Sequence, residues 1–241
     1  MGVKNFLNDS VSAFRTKGVK AGFKPVVKNA IFGAYHNLPL SYGTPIFERD
    51  WDVLIILDAC RPDLMEEVSH SYDFLPSTIP TIYSVASRSD TWMQRNFADE
   101  YRDEMARTAY VTGNPYSGSN CSEDEFGLLD EVWGYAWNED VGSVGAEDIT
   151  DRAIATGRDH DFDRLIIHYM QPHFPSFPQP LAEGIDLDCF GTEWSSVWER
   201  IEDGRLSEEE AWVSYRKNLE YALESVSVLL QNLDRTRAIL S

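Results

Sequence analysis

Residues 51–63 read WDVLIILDACRPD, an apolar run that ends on Asp58 and continues into a proline. Branched aliphatic residues without polar alternation are typical of a central strand that is covered on both faces of a parallel sheet. Pro62 suits the first turn of a helix, where no backbone N–H is needed. Ligands of open α/β sheets bind outside the carboxyl ends of the strands, so Asp58 is a candidate site residue. The alternative is that Asp58 only caps the following helix.

Other segments repeat this alternation of strand and helix. The pattern predicts strands at 108–112, 164–169 and 237–241, and helices at 61–68, 90–102, 147–156 and 208–233, the last with Ser207 as N-cap. We interpret 113–127 as a loop, and 128–137 is ambiguous but compatible with a short strand. Such alternation predicts an α/β protein with a doubly wound, mainly parallel sheet and helices on both faces.

The charge of the chain is strongly uneven. The 241 residues carry 40 acidic and 21 basic side chains, a net charge of −19. Residues 1–30 hold six of the cations and only one acid, so the remainder carries 15 basic against 39 acidic residues. Lys217 is the only lysine beyond residue 30. We interpret this acidic surface as that of a halophilic protein, because high salt screens the self-repulsion of so many carboxylates; the alternative is a mesophilic acidic protein. The same charge disfavours nucleic-acid binding.

The cysteines and the hydropathy bear on localisation. Cys60, Cys121 and Cys189 are odd in number and widely spaced, which indicates reduced thiols in a cytoplasm rather than a disulfide framework or a zinc site. The first residues do not show the pattern of a signal peptide, and the sequence contains no run of 18 apolar residues, so we expect a protein that is neither secreted by the usual route nor membrane-spanning. It also lacks a glycine-rich phosphate loop, which makes a nucleotide-binding protein a weak interpretation.

The N-terminal segment, residues 1–44, is predicted to be separate from an α/β domain at 45–241. Residues 3–35 combine apolar side chains at helical spacing with the six cations, and Gly22 and Pro25 interrupt the pattern. One interpretation is a peripheral contact with anionic lipid at the inner face of the membrane. The other, which we favour, is an amphipathic helix that packs on the acidic body.

Two further segments contain candidate site residues. In SVASRSDTWM, residues 84–93, hydroxyl groups crowd at a predicted helix N-terminus, where free N–H groups can stabilise an alkoxide or an oxyanion. Ser87 and Asp90 also have the spacing of a capping box, so plain capping is the alternative. In HYMQPHFP, residues 168–175, His173 follows a strand and is suited to bind an anion or protonate a leaving group. His168 within the strand is interpreted as a core residue.

Taken together, LIILDACRPD (54–63), SVASRSDTWM, HYMQPHFP and the terminal AILS (238–241) are similar to the sulfatase-like branch of the alkaline phosphatase superfamily. The sulfatase-like proteins of halophilic archaea are the members that the chain resembles in particular. The resemblance covers most of residues 45–241, and the order and spacing of the four segments carry more weight than any one of them.

The resemblance implies a role for each candidate residue. Asp58 is expected to be a metal ligand, Ser87 or Ser89 the nucleophile, and His173 a substrate contact. Arg61 is expected to hold an anionic substrate oxygen. Ser87 is the first choice as nucleophile and Ser84, which would match the sulfatase C/S-x-P-S-R signature, is the third. The implied cofactor is a divalent ion, Ca²⁺, Mg²⁺, Mn²⁺ or Zn²⁺.

The chain departs from the family pattern in two respects. No cysteine stands in the nucleophile segment, and a plain serine suits phosphoryl transfer better than sulfate ester hydrolysis. Family members also continue the AILS-type strand into an Asp-His-Gly metal motif, so we expect a chain that ends at residue 241 to be a fragment and inactive.

The sequence therefore predicts a metal-dependent hydrolase of small anionic sulfate or phosphate esters with a serine nucleophile. The alternative is a catalytically inactive relative that binds anionic glycans or lipid headgroups. The predicted localisation is cytoplasmic. The alternative within the cytoplasm is a peripheral position at the inner face of the membrane, through residues 3–35.

Overall fold

The structure is a computed structural model that describes residues 43–159, 162–181, 187–190, 197–233 and 238–240. All of them belong to the unit formed by residues 43–241. The amphipathic helix and membrane contact expected at 3–35 lie outside the described residues.

The described elements alternate between strands and helices. The strands are β1 (Val53–Leu57), β2 (Thr108–Thr112), β3 (Leu128–Glu131), β4 (Trp137–Asn138), β5 (Ser143–Val144), β6 (Arg164–Tyr169) and β7 (Ala238–Leu240). The helices are α1 (Pro62–Ser69), α2 (Ser89–Asn96), α3 (Arg102–Met105), α4 (Ser117–Asn120), α5 (Trp133–Ala136), α6 (Ala146–Asp159), α7 (Val197–Glu202) and α8 (Glu208–Asn232). Short 3-10 turns occupy Ile46–Glu48, Asp99–Tyr101 and Leu187–Cys189.

Five strands form one sheet in the order β3-β2-β6-β1-β7, and every neighbouring pair is parallel. The two short strands β4 and β5 pair separately and antiparallel. β1 lies between β6 and β7, with Val53 opposite Leu165 and opposite Ala238. The predicted α/β class with a mainly parallel sheet is therefore confirmed.

Both faces of β1 are covered, which explains its unbroken apolar sequence. Val53, Ile55 and Leu57 pack into a layer that includes buried residues of α1, α6 and α8. Leu54 and Ile56 face the other layer. That second layer also contains Trp51, Met93, Phe97, Met105, Tyr110 and Phe126. All five residues of β1 are buried. If every second residue were polar, its side chain would be buried there without a hydrogen-bond partner, which is unfavourable.

The helix predicted at 90–102 is wrong in its length, because α2 ends at Asn96. The Asn96 amide donates to Trp92 O at 3.0 Å and accepts from Ile46 N–H at 2.9 Å, so its side chain bonds with main chain both inside and outside the helix. Ala98 is then extended before the turn at 99–101.

The segment 113–127, predicted as a loop, contains the short helix α4, so that prediction is wrong for residues 117–120. Two further segments follow the predictions more closely. Helix α8 begins with a complete capping box, in which Ser207 and Glu210 bond each other's backbone N–H, as the Ser207 prediction requires. The ambiguous segment 128–137 contains β3, then α5, and then the first residue of β4.

Candidate functional site

The parallel sheet places the residues after β1, β2 and β6 at one edge. Asp58 follows β1, and its N–H donates to Tyr169 O at the end of β6 over 3.1 Å. The Asp58 carbonyl accepts from His173 N–H at 3.0 Å, which holds the loop after β6 against this turn. The residues that follow neighbouring strands therefore meet around Asp58, as expected for an open α/β sheet.

The chain turns sharply directly after Asp58. Ala59 has φ of +60°, a left-handed conformation that costs a non-glycine residue about 1 kcal/mol or more. The Ala59 carbonyl accepts a hydrogen bond from the Tyr215 hydroxyl of α8, and Cys60 N–H donates back to Leu57 O at 3.1 Å. Main chain and α8 together hold the turn in a conformation that it would otherwise rarely adopt.

The Asp58 carboxylate lies at the centre of a polar cluster. Ser89 Oγ is 3.3 Å from Oδ1 and 3.1 Å from Oδ2, and Asn114 Nδ2 is 2.7 Å from Oδ2. The Asp58 side chain is 14% exposed. The two donors fix the orientation of this largely buried carboxylate.

Asp58 does not cap the helix that follows it. The N-cap of α1 is Arg61, which makes no side-chain capping bond, and the Leu64 N–H in the first turn donates to Asp63 Oδ1 at 3.0 Å. The capping alternative for Asp58 is therefore wrong, because the turn at Ala59 separates the carboxylate from the helix start.

The three candidate serines occupy different positions. Ser89 is the first residue of α2 and bonds to Asp58. Ser87 is exposed and makes no hydrogen bond to any described residue. Ser84 is also exposed, and its Oγ donates to Ala86 O at 2.7 Å. The structure thus brings Ser89 to Asp58, whereas Ser87, the first choice from the sequence, lies outside this cluster.

The capping box expected at the start of α2 is absent. The N-cap of α2 is Arg88, which makes no side-chain capping bond, so the S-x-x-D interpretation of Ser87 and Asp90 is wrong. The Asp90 carboxylate instead binds the Arg88 guanidinium at 3.1 and 2.7 Å. Burial acts to raise the pKa of Asp90, but the bonds from Arg88 and Thr91 lower it overall.

The two predicted substrate contacts have different surroundings. Arg61 binds Asp63 through two bonds of 2.9 and 2.6 Å and lies over the Trp212 ring. Its guanidinium is therefore held by Asp63 and Trp212. His173 is half-buried, bonds to Asp58 through its backbone N–H, and accepts at its carbonyl from Asn218 Nδ2 at 3.0 Å.

Sequence reasoning missed Asn114 and the environment of His168. Asp58 directly follows β1 and Asn114 lies two residues after the end of β2, so both stand just past a strand end, which was the signal available in the sequence. His168 is buried, as predicted, and its Nδ1 is 2.8 Å from the Tyr110 hydroxyl. Its Nε2 lies 3.9 Å from Asp58 Oδ2, so this core residue also borders the site.

The oxygen donors around Asp58 were compared with the needs of a divalent ion. Ca²⁺ and Mg²⁺ take six or more oxygens and usually more than one carboxylate or phosphate. The cluster offers one carboxylate, Asp58, and the Ser89 hydroxyl. The described part of the chain contains no group of three or more His, Cys, Asp and Glu suited to a metal ion. These donors alone do not fit a complete divalent site.

Comparisons with known proteins add no family to this picture. No protein-family model, no curated protein and no solved structure matches the chain. Among the described residues, no helix combines the length and the apolar composition needed to cross a membrane.

Proposed function

We propose that the chain is a hydrolase of phosphate or sulfate esters with Ser89 as the nucleophile. The observation that carries the proposal is the hydrogen bond from Ser89, in the first turn of α2, to Asp58 after β1. A hydroxyl at a helix start faces free N–H groups, and an adjacent carboxylate can accept its proton. The sulfatase-like form of the α/β fold is part of the same proposal.

In the proposed reaction, Ser89 Oγ attacks the phosphorus or sulfur atom while its proton passes to Asp58. The bond between the phosphorus or sulfur atom and the ester oxygen breaks, the leaving oxygen takes the proton from Asp58, and a covalent seryl ester remains. Water then attacks that ester with Asp58 as base. The hydroxyl of the water stays on the released phosphate or sulfate, and its other proton passes through Asp58 to Ser89 as the seryl bond breaks. The positive end of α2 stabilises the additional negative charge on the transferred group.

Arg88 is a cation next to a residue of this cluster. Arg88 immediately precedes Ser89, and its side chain is 53% exposed although Asp90 binds it. A guanidinium bonds the oxygens of phosphate or sulfate in pairs, so Arg88 is our addition to Arg61 and His173 as a substrate contact.

Dependence on a divalent ion remains a prediction from the family resemblance. Asp58 is its proposed ligand, but the described oxygen donors are too few to hold a divalent ion, so the proposed reaction uses only groups of the protein. Halophilic origin and cytoplasmic localisation stay predictions as well, and molar KCl is the medium in which activity should be measured.

The test measures hydrolysis of an aryl phosphate and an aryl sulfate by the wild type, with and without added Mn²⁺, Zn²⁺, Mg²⁺ or Ca²⁺. Turnover by the 241-residue chain would contradict the inactivity that the family resemblance implies for it. Ser89→Ala should lower kcat at least about a thousandfold, because removal of a nucleophile leaves only binding and electrostatic contributions. Ser87→Ala and Ser84→Ala are the matched controls and should retain kcat within about twofold. Equal rates for wild type and Ser89→Ala would refute the assignment.

The alternative, an inactive module that binds anionic glycans or lipid headgroups, predicts a different result. The wild type would then turn over neither ester under any metal condition and would co-sediment with anionic vesicles. Deletion of residues 3–35 would abolish that co-sedimentation if the N-terminal segment is the contact.

A further inference from the structure

We propose that Tyr110 and His168 are positioning residues, and that Tyr110 holds His168 in the tautomer that directs an Nε2–H at Asp58. This proposal rests on the function proposed above, because its purpose is to orient the carboxylate that receives the proton of Ser89. It adds two buried residues on neighbouring strands to the site.

The register of the sheet places the three residues in a diagonal row. β2, β6 and β1 are adjacent, and Thr112 and Ile56 lie opposite His168 on its two neighbours. Tyr110 is two residues before Thr112, and Asp58 is two residues after Ile56. Alternate residues of a strand point to the same face, so the three side chains share one face of the sheet.

Burial removes both residues of the pair from water. Tyr110 is fully buried, and this burial raises the pKa of its hydroxyl well above the ordinary value although a hydrogen bond with Thr112 acts to lower it, so the phenol keeps its proton. His168 is 2% exposed, so its ring nitrogens face protein groups rather than water. A neutral imidazole has one N–H donor and one acceptor nitrogen, and its neighbours decide which nitrogen is which.

The neighbours of the His168 ring favour a proton on Nε2. That nitrogen faces Asp58 Oδ2 at 3.9 Å, and an ionised carboxylate can only accept. Nδ1 must then accept, and the Tyr110 hydroxyl at 2.8 Å is the donor for it. The ring also meets Trp92 of α2 edge-on, with centroids 6.1 Å apart, which limits its rotation.

This arrangement treats the two oxygens of Asp58 differently. Oδ2 accepts from Asn114 at 2.7 Å and from Ser89 at 3.1 Å, and it faces the Nε2–H of His168. Among the described residues, Ser89 at 3.3 Å is the only hydrogen-bond donor to Oδ1. At 3.9 Å the His168 N–H acts on Oδ2 as an oriented dipole rather than as a direct hydrogen bond. Negative charge is therefore stabilised on Oδ2, and Oδ1 is left to accept the serine proton.

Kinetics test this role with matched variants. Tyr110→Phe removes the hydroxyl and keeps the ring, and we expect kcat to fall about ten- to hundredfold with KM changed less than about threefold, since a misplaced carboxylate impairs proton transfer. Tyr169→Phe is the control, because it removes another buried hydroxyl, the partner of Thr150 at 2.7 Å, on the opposite face of the sheet. Equal losses of kcat in the two variants would overturn the proposal.

A conservative variant separates the N–H donor from the imidazole itself. His168→Gln places an amide N–H near the position of Nε2 and should retain more activity than His168→Leu, which has no donor. Similar activity of the two His168 variants contradicts a positioning role.

Nitrogen NMR tests the same idea without turnover. Long-range ¹H–¹⁵N correlation in molar KCl should give the Nε2–H tautomer of His168, with the signal assigned by its loss in His168→Gln. Tyr110→Phe and Asp58→Asn should each shift the tautomer population, whereas Tyr169→Phe should not. An Nδ1–H tautomer, or a population that both of the first two variants leave unchanged, refutes the pairing even if the wild type hydrolyses no ester. Absent turnover with the expected NMR result refutes only the proposed function.

Discussion

Asn218 connects helix α8 to the loop that follows β6, and its removal should destabilise the protein measurably. It is fully buried, its Oδ1 accepts from Phe177 N–H at 3.0 Å, and its Nδ2 donates to His173 O at 3.0 Å. We predict that Asn218→Ala lowers the free energy of unfolding by about 2–3 kcal/mol.

The magnitude follows from the groups that lose a partner. A hydrogen bond contributes about 1 kcal/mol net, and a buried polar group without a partner costs about 1–3 kcal/mol. Phe177 N–H and His173 C=O are only partly buried, so water recovers part of this loss. Alanine is also the better helix former, which returns about 0.5 kcal/mol.

Urea unfolding in molar KCl, followed by circular dichroism and tryptophan fluorescence, measures the change. Asn232→Ala is the control, because Asn232 is an exposed residue at the end of the same helix. Its loss should change the free energy of unfolding by no more than about 0.5 kcal/mol. If the two variants are destabilised equally, the connecting role of Asn218 is wrong.

Three further results are expected. Because burial lowers the pKa of His168, the unfolded chain takes up a proton below about pH 6.5 that the native state resists. The free energy of unfolding should therefore fall as the pH is lowered. Measured by urea unfolding, its decrease from about pH 7.5 to about pH 5.5 should be larger in the wild type than in His168→Gln by up to about 1.4 kcal/mol. Ser207→Ala breaks the capping box of α8 and should cost about 1 kcal/mol in the same assay. Burial, and to a smaller extent nearby carboxylates, raises the pKa of Cys60 and Cys121 to about 12. Alkylation of these thiols by iodoacetamide at about pH 8, followed by mass spectrometry, should therefore be at least about a hundredfold slower in the native protein than in urea.

The sheet was predictable because its signal is local and strong. An unbroken run of branched aliphatic residues, as in β1, has few alternatives to a strand buried on both faces. The start and end of α2 were less predictable. Whether Ser87 or Ser89 begins that helix depends on the dihedral angles of two residues, and its end depends on the Asn96 side chain bonding to the distant Ile46.

The cluster around Asp58 could be predicted only in part. Asp58 was found because it follows a recognisable strand. Asn114 follows an equally recognisable strand, β2, but it lies in a segment rich in turn-forming residues that concealed it. The contact between His168 and Asp58 requires the strand order β2-β6-β1, which no short stretch of sequence encodes.

The strand order also determines when the chain can fold during its synthesis. β1 is made early and is the most apolar strand, yet its two neighbours, β6 and β7, begin only at residues 164 and 238. Such distant parallel pairing is intrinsically slow, and an unpaired apolar strand is prone to aggregate. A ribosome must therefore release the chain beyond residue 164 before β1 gains its first partner. Until then the aliphatic side chains of β1 depend on chaperones or transient collapse for protection from other chains.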